Sequence, residues 1–148
     1  MKTKCRILPR VYFNRPTVTV ARSLIGKYVV REIDGRILAG KIIEVEAYVG
    51  PQDKACHASK GRTQRTEVLF GPPGVAYVYL IYGMYHCLNV VTEREEFPSA
   101  VLIRAIEIDG ELIDGPGRLG RTLQIDRRLT VRISRPANPS GSRIEGHW

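Results

Sequence analysis

The stretch Lys41 to Tyr48, K-I-I-E-V-E-A-Y, decides how this chain reads. Its β-branched content and its lack of Gly and Pro favour a strand, and a strand sends alternate side chains to opposite faces. Alternation groups Ile43, Val45 and Ala47 as an apolar set suited to a core, with Lys41 on the same side. Glu44, Glu46 and Tyr48 then share the other face, with only Ile42 for apolar company. Two carboxylates and a phenol on one rigid face can do chemistry, although a half-exposed strand with a solvated outer face would carry the same pattern.

Working outward, Tyr28 to Ile33 reads as a strand, Asp34-Gly35 is a two-residue hairpin signal, and Arg36 to Tyr48 supplies the returning strand. Upstream, V-T-V-A-R-S-L-I-G-K repeats Val20, Ala21, Leu24 and Ile25 at helical spacing, with Thr17 as the expected N-cap and Gly26 as the stop. Downstream, residues 50–74 change to Gly, Pro, Lys, Arg and Thr. A loop of this length in a compact domain is more often functional than idle. Lys60, Arg62 and Arg65 could meet phosphates there, and His57 is the loop's only histidine.

From Val75 to Thr92 the sequence reads as two strands joined at Tyr82-Gly83-Met84. Tyr77 and Tyr79 share a face of the first strand, and His86, Leu88 and Val90 share a face of the second. Tyrosines within strands usually pack in a core or across strands. Tyr82, at the tip, has less to pack on, and a ring exposed there in a basic protein is a candidate wedge that enters a base stack. After a charged break at Glu93 to Glu96, P-S-A-V-L-I-R-A-I-E-I predicts another strand. Alternation gives Arg104 the company of Leu102 and Ile106, and a half-buried arginine there calls for a carboxylate partner, for which Glu46 is the candidate. The last third predicts a Gly/Pro turn and a short helix with Leu119 and Leu123 inward, leaving Arg118, Arg121, Arg127 and Arg128 for phosphates or for a solvated basic face.

At 148 residues and 43% hydrophobic, the chain has one domain's worth of core, so residues 1–148 are expected to form a single domain. No apolar run approaches the roughly 20 residues needed to span a bilayer, and the basic N-terminus has no apolar stretch behind it. Cys5, Cys56 and Cys87 make no disulfide framework. A soluble intracellular protein is expected, in a prokaryotic cytoplasm or nucleoid or in a nucleus. The net charge of +8 is unevenly spread: residues 1–43 carry ten Lys/Arg against two Asp/Glu, residues 44–111 six against ten, and residues 112–148 seven against three. A basic frame around an acidic middle suits a polyanion gripped by the flanks. Cys56-His57 and His86-Cys87 lack metal-ligand spacing, and no phosphate loop or G-x-S-x-G setting is present. No metal or cofactor is expected.

Taken together, I-I-E-V-E-A-Y-V-G-P-x-D-x-x-x-H (Ile42 to His57), Y-V-Y-L-I-Y-G-M-Y-H-C-L-N (Tyr77 to Asn89), V-L-I-R-A-I-E (Val101 to Glu107) and G-P-G-R-L (Gly115 to Leu119) resemble the alkyladenine, or 3-methyladenine, DNA glycosylase family. The opening F-N-R-P-T-V-T-V-A-R-S-L-I-G-K fits as well. The resemblance implies that Glu46 is the general base that activates the attacking water and that Arg104 helps to hold that water. It implies that Tyr48, His57 and Tyr79 enclose the flipped base, that Tyr82 is the intercalating wedge, and that Asn89 crowds the pocket against the exocyclic amine of guanine. Where family members carry a longer segment before G-P-G, this chain has only Ile108 to Asp114, and Ser142-Arg143-Ile144 reads as the remnant of a further strand.

The expectation is therefore an α+β domain built on a curved, mostly antiparallel sheet with short flanking helices. It is expected to act as a monomer on double-stranded DNA containing damaged purines, excising the base and leaving an abasic site, with no membrane partner. The rivals are a non-catalytic lesion- or duplex-binding protein on the same scaffold and a hydrolase of free nucleosides.

Overall fold

Asp34 and Gly35 both take left-handed backbone angles, with φ of 49° and 77°. This is the pair a tight I′-like turn requires, and it closes β2 (Tyr28–Ile33) onto β3 (Arg36–Val49) in antiparallel register. The structure, a computed structural model, describes residues 6–54, 56, 59, 61–81, 84–125 and 132–135. His57, Lys60, Tyr82, Arg127, Arg128 and the segment Ser142-Arg143-Ile144 lie outside the described residues.

The remaining elements are β1 (Arg6–Ile7), α1 (Arg10–Phe13), α2 (Thr17–Leu24), β4 (Ala76–Ile81), β5 (Tyr85–Val91), β6 (Ser99–Ile108), β7 (Glu111–Asp114), α3 (Pro116–Thr122) and β8 (Arg132–Arg135). The strands form one curled antiparallel sheet in the order β1-β8-β2-β3-β6-β5-β4, with β7 added beside β6. This is the expected α+β domain.

The sheet separates two apolar clusters. The larger collects Val20, Ala21 and Leu24 of α2 and Leu119 and Leu123 of α3 with Val29, Ile42, Leu88, Val90, Val101, Ile103 and Ile106 from the strands. The smaller joins Tyr77, Tyr79, Cys87, Val91, Ala100 and Leu102 to Cys56 and Leu69. Those last two come from the 50–74 loop, which includes a 3₁₀ turn at Glu67–Phe70. Cys56 and Leu69 thus cover apolar surface that α2 and α3 leave free.

Between Ile42 and Val45 the pairing of β3 with β6 slips and then recovers: Ile42 faces Ile106, Glu44 faces Ala105, and Val45 faces Ile103. The slip breaks simple alternation in both strands. Ile42, fully buried, joins the larger core together with Val45 and Ala47, so the expected grouping of Ile43 with Val45 and Ala47 is corrected. Lys41 is exposed rather than core-facing. On β6, Ile106 belongs to the larger core and Leu102 to the smaller, so Arg104 shares a face with Leu102 but not with Ile106.

Other local expectations are also corrected. Thr17 is the first residue of α2 and not its N-cap, which is Pro16. The orphan donors at that end are met from a distance: Glu93 Oε2 accepts from the Thr17 backbone N–H at 3.0 Å and from the Thr17 hydroxyl. Ile25 is 46% exposed and does not join the core. The short stretch before Gly115, not anticipated as a strand, turns back at Asp109-Gly110 (φ 51° and 80°) and pairs with β6 as β7. From there α3 lies close on β5: a Cβ added at Gly120 would sit 2.1 Å from the His86 carbonyl oxygen.

Candidate active site

The register of four neighbouring strands sets Glu46 opposite Leu102, Leu102 opposite Asn89, and Asn89 opposite Tyr77. In the adjacent rows Tyr48 lies opposite Ala100, and Tyr79 opposite Cys87. Strand pairing alone therefore gathers a carboxylate, three tyrosines and an amide on the sheet face that the 50–74 loop covers. Between them is a half-open cavity of about 70 Å³ lined by Tyr48, Cys56, Leu69, Tyr77, Tyr79, Asn89 and Ala100.

Glu46 stands beside this cavity through its neighbour Tyr48, and both of its oxygens are engaged. Arg104 Nη1 donates to Oε1 at 2.5 Å, and the Tyr48 hydroxyl donates to Oε2. The Arg104 and Glu46 side chains are 39% and 40% exposed, so the pair sits at a solvent boundary where water can reach the carboxylate. The carboxylate holds the Arg104 guanidinium above its usual value. Burial, reinforced by the hydrogen bond to Glu46 and its negative charge, raises the Tyr48 phenol, which stays neutral across the physiological range.

The cavity wall is aromatic and uncharged. Tyr77 and Tyr79 lie with ring centroids 5.7 Å apart, and both are nearly fully buried. Burial pushes Tyr79 up to about 12, with Cys87 and Tyr77 adding to the effect and a hydrogen bond with Asn89 opposing it. Asn89 is 2% exposed and donates through Nδ2 to the Tyr77 carbonyl at 3.3 Å, which fixes its amide at the cavity lining. Arg65 reaches over the Tyr79 ring at 6.0 Å and donates to the Leu80 carbonyl at 3.3 Å.

Of the residues expected at the site, the structure brings Glu46, Arg104, Tyr48, Tyr79 and Asn89 together. His57 and Tyr82 lie outside the described residues, while Met84, beside Tyr82 in the chain, is 68% exposed. Tyr77 was expected to pack, and it both packs and lines the cavity. Cys56 and Leu69 were missed, since loop residues carry no periodicity to assign them a face. Arg62, offered as a phosphate contact, is paired with Glu67 at 2.5 Å and with Glu96 at 2.6 Å. Among the described residues no group of three or more His, Cys, Asp or Glu side chains is placed to hold a metal ion, and no helix is long and apolar enough to cross a membrane.

The sequence profile of the family described as methylpurine-DNA glycosylase (MPG) matches residues 11–137. The chain belongs to this family. The matched span runs from α1 to beyond β8 and so contains every residue of the cavity and of the Arg104–Glu46–Tyr48 cluster. Among curated proteins, the chain is 54% identical over 130 residues to one from Legionella pneumophila (strain Corby), covering 86% of this chain and 71% of the other. It is 52% identical over 139 residues to one from Methanocella arvoryzae, with 83% and 70% covered. It is 53% identical over 125 residues to one from Myxococcus xanthus, with 81% and 64% covered. All three are named, provisionally, as 3-methyladenine DNA glycosylases. The methylpurine-DNA glycosylase family is the one that the four sequence motifs indicated.

Proposed function

We propose that this protein is a monofunctional DNA glycosylase. In this reading it takes an alkylated or deaminated purine out of duplex DNA and hydrolyses its N-glycosidic bond with a water activated by Glu46, leaving an abasic site. The observation that carries the reading is the tethered carboxylate of Glu46 beside an aromatic cavity, in a chain of the methylpurine-DNA glycosylase family.

The chemistry follows from that arrangement. Glycosidic cleavage passes through an oxocarbenium-like transition state, so a carboxylate near the sugar both takes a proton from the attacking water and stabilises the developing positive charge. Arg104 holds the carboxylate and has further N–H donors with which to hold the same water. Tyr48 and Tyr79 supply ring faces on which a flipped base stacks, and a cationic alkylated purine gains cation–π attraction there. Tyr77 completes the wall. For Asn89, whose amide is bonded to the Tyr77 carbonyl at the cavity lining, the family resemblance implies a role in crowding out the exocyclic amine of guanine. The family resemblance adds His57 as a hydrogen-bonding wall of the base pocket and Tyr82 as the wedge that replaces the displaced nucleotide. The group at the cavity edge is a carboxylate and not an amine, which favours direct hydrolysis over a Schiff-base step.

The test is single-turnover base release from a duplex carrying one hypoxanthine or 3-methyladenine. Release by the wild type that falls by about 10²-fold or more in Glu46→Gln is expected. Tight binding to the lesion with no release by the wild type would overturn the catalytic reading in favour of a binding protein. Salt dependence separates DNA from a free nucleoside as substrate, because only the former loses roughly one log-log slope unit per phosphate contact.

A further inference from the structure

The spacing E-x-Y on one strand places a carboxylate and a phenol side by side, two residues apart on a single face. In this chain that pair is Glu46 and Tyr48, and the Tyr48 hydroxyl donates to Glu46 Oε2 while its ring lines the cavity. The same side chain thus touches both the space where a base would stack and the group proposed to activate water. Arg104 takes the other carboxylate oxygen, so the two donors approach Glu46 from different partners: one on its own strand, the other on β6.

We propose that Tyr48 is a positioning residue for Glu46 as well as a wall of the base pocket, so that stacking of a base on its ring fixes the carboxylate for catalysis. The proposal rests on the glycosylase reading given above. A carboxylate held by Arg104 alone can still swing about that single bond. Held at both oxygens, it keeps its remaining lone pairs in fixed directions. A base stacked on Tyr48 restrains the ring, and through the hydroxyl it restrains Glu46. An empty pocket, or one holding a base that does not stack, leaves the carboxylate less well fixed. Recognition and water activation are thereby coupled through one side chain.

Tyr48→Phe separates the two roles because it keeps the ring and removes only the donor. In single-turnover release of hypoxanthine from a duplex, the half-saturating enzyme concentration should stay at the wild-type value. The rate at saturation should fall about ten-fold, the effect expected for losing one hydrogen bond to a charged group. A purely structural role would move half-saturation and rate together. If Tyr48→Phe keeps the wild-type rate while Glu46→Gln abolishes release, the proposal is overturned and the glycosylase reading stands. If the wild type releases no base, the glycosylase reading fails and the proposal falls with it.

Discussion

Arg104 Nη1 lies 2.5 Å from Glu46 Oε1, joining two residues that are 58 apart in the sequence and neighbours across β3 and β6. Both side chains are about two-fifths exposed, and ion pairs at such positions contribute only about 1 kcal/mol or less to stability. The pair therefore orients the carboxylate more than it holds the fold. Arg104→Gln should unfold within a few degrees of the wild type in a thermal melt, yet lose about 10²-fold in single-turnover base release. A large loss of stability with activity intact would contradict this division.

Tyr79 makes the protein sensitive to alkali. Its phenol is pushed up to about 12, chiefly by burial, whereas an unfolded tyrosine ionises near 10. Below about pH 10 both states keep the proton and the neutral buried ring costs nothing. Between about 10 and 12 the unfolded state ionises first, so stability falls as pH rises. The loss attributable to Tyr79 should be on the order of 2 kcal/mol by pH 12. Urea unfolding from pH 9 to 12 should give a shallower decline for Tyr79→Phe than for the wild type.

Gly120→Ala should separate α3 from the sheet. The new methyl would meet the His86 carbonyl oxygen at 2.1 Å, a backbone atom that no side-chain rotation can move away. We expect a loss of about 3 kcal/mol or more, read as a lower midpoint in chemical unfolding, together with weaker protection of the β5 amides from hydrogen exchange. Gly110→Ala is the control for bulk, since a Cβ at Gly110 meets nothing within 4 Å and its cost comes only from a φ of 80°.

Arg62 and Arg121 should differ in how they shape DNA affinity. The Arg62 guanidinium is already matched by Glu67 and Glu96, and Glu67 is held below its usual range by that contact. Arg121, at the end of α3, stacks on the Tyr85 ring at 5.8 Å. In titrations of duplex binding against salt, Arg62→Gln should leave the log-log slope unchanged, while Arg121→Gln should lower it by about one. Equal effects of the two substitutions would show that Arg62 exchanges its carboxylates for phosphate.

The sheet and the site were legible to different depths. The Asp34-Gly35 turn, the β4–β5 hairpin and the inward Leu119 and Leu123 could be read because each depends on local turn chemistry or on period, and the pairing of Arg104 with Glu46 because a half-buried arginine calls for a carboxylate. What escaped depends on distant partners. Thr17 has the chemistry of an N-cap, but Glu93, 76 residues away, supplies the acceptor, and Thr17 becomes the first helical residue. Cys56 and Leu69 line the cavity because the loop folds over an apolar face, which composition does not reveal. The faces of Lys41, Ile42, Ile43 and Ile106 were misread because a period of two cannot register a slip that two strands make together.

That shared slip ties the two strands to each other in length. Upstream of it, β3 sends Ile42 inward; downstream it turns Glu46 and Tyr48 toward the cavity. Removing one residue from β3 near Ile43 would set Val45 two residues after Ile42, so alternation would still send Val45 inward and Glu46 to the cavity face, but β6 would be left with an unmatched residue near Arg104. Only a compensating change near Arg104 on β6 could restore the pairing. Insertions and deletions in this part of the chain are therefore admissible only in matched pairs, and the site is guarded by a constraint of counting as well as one of chemistry.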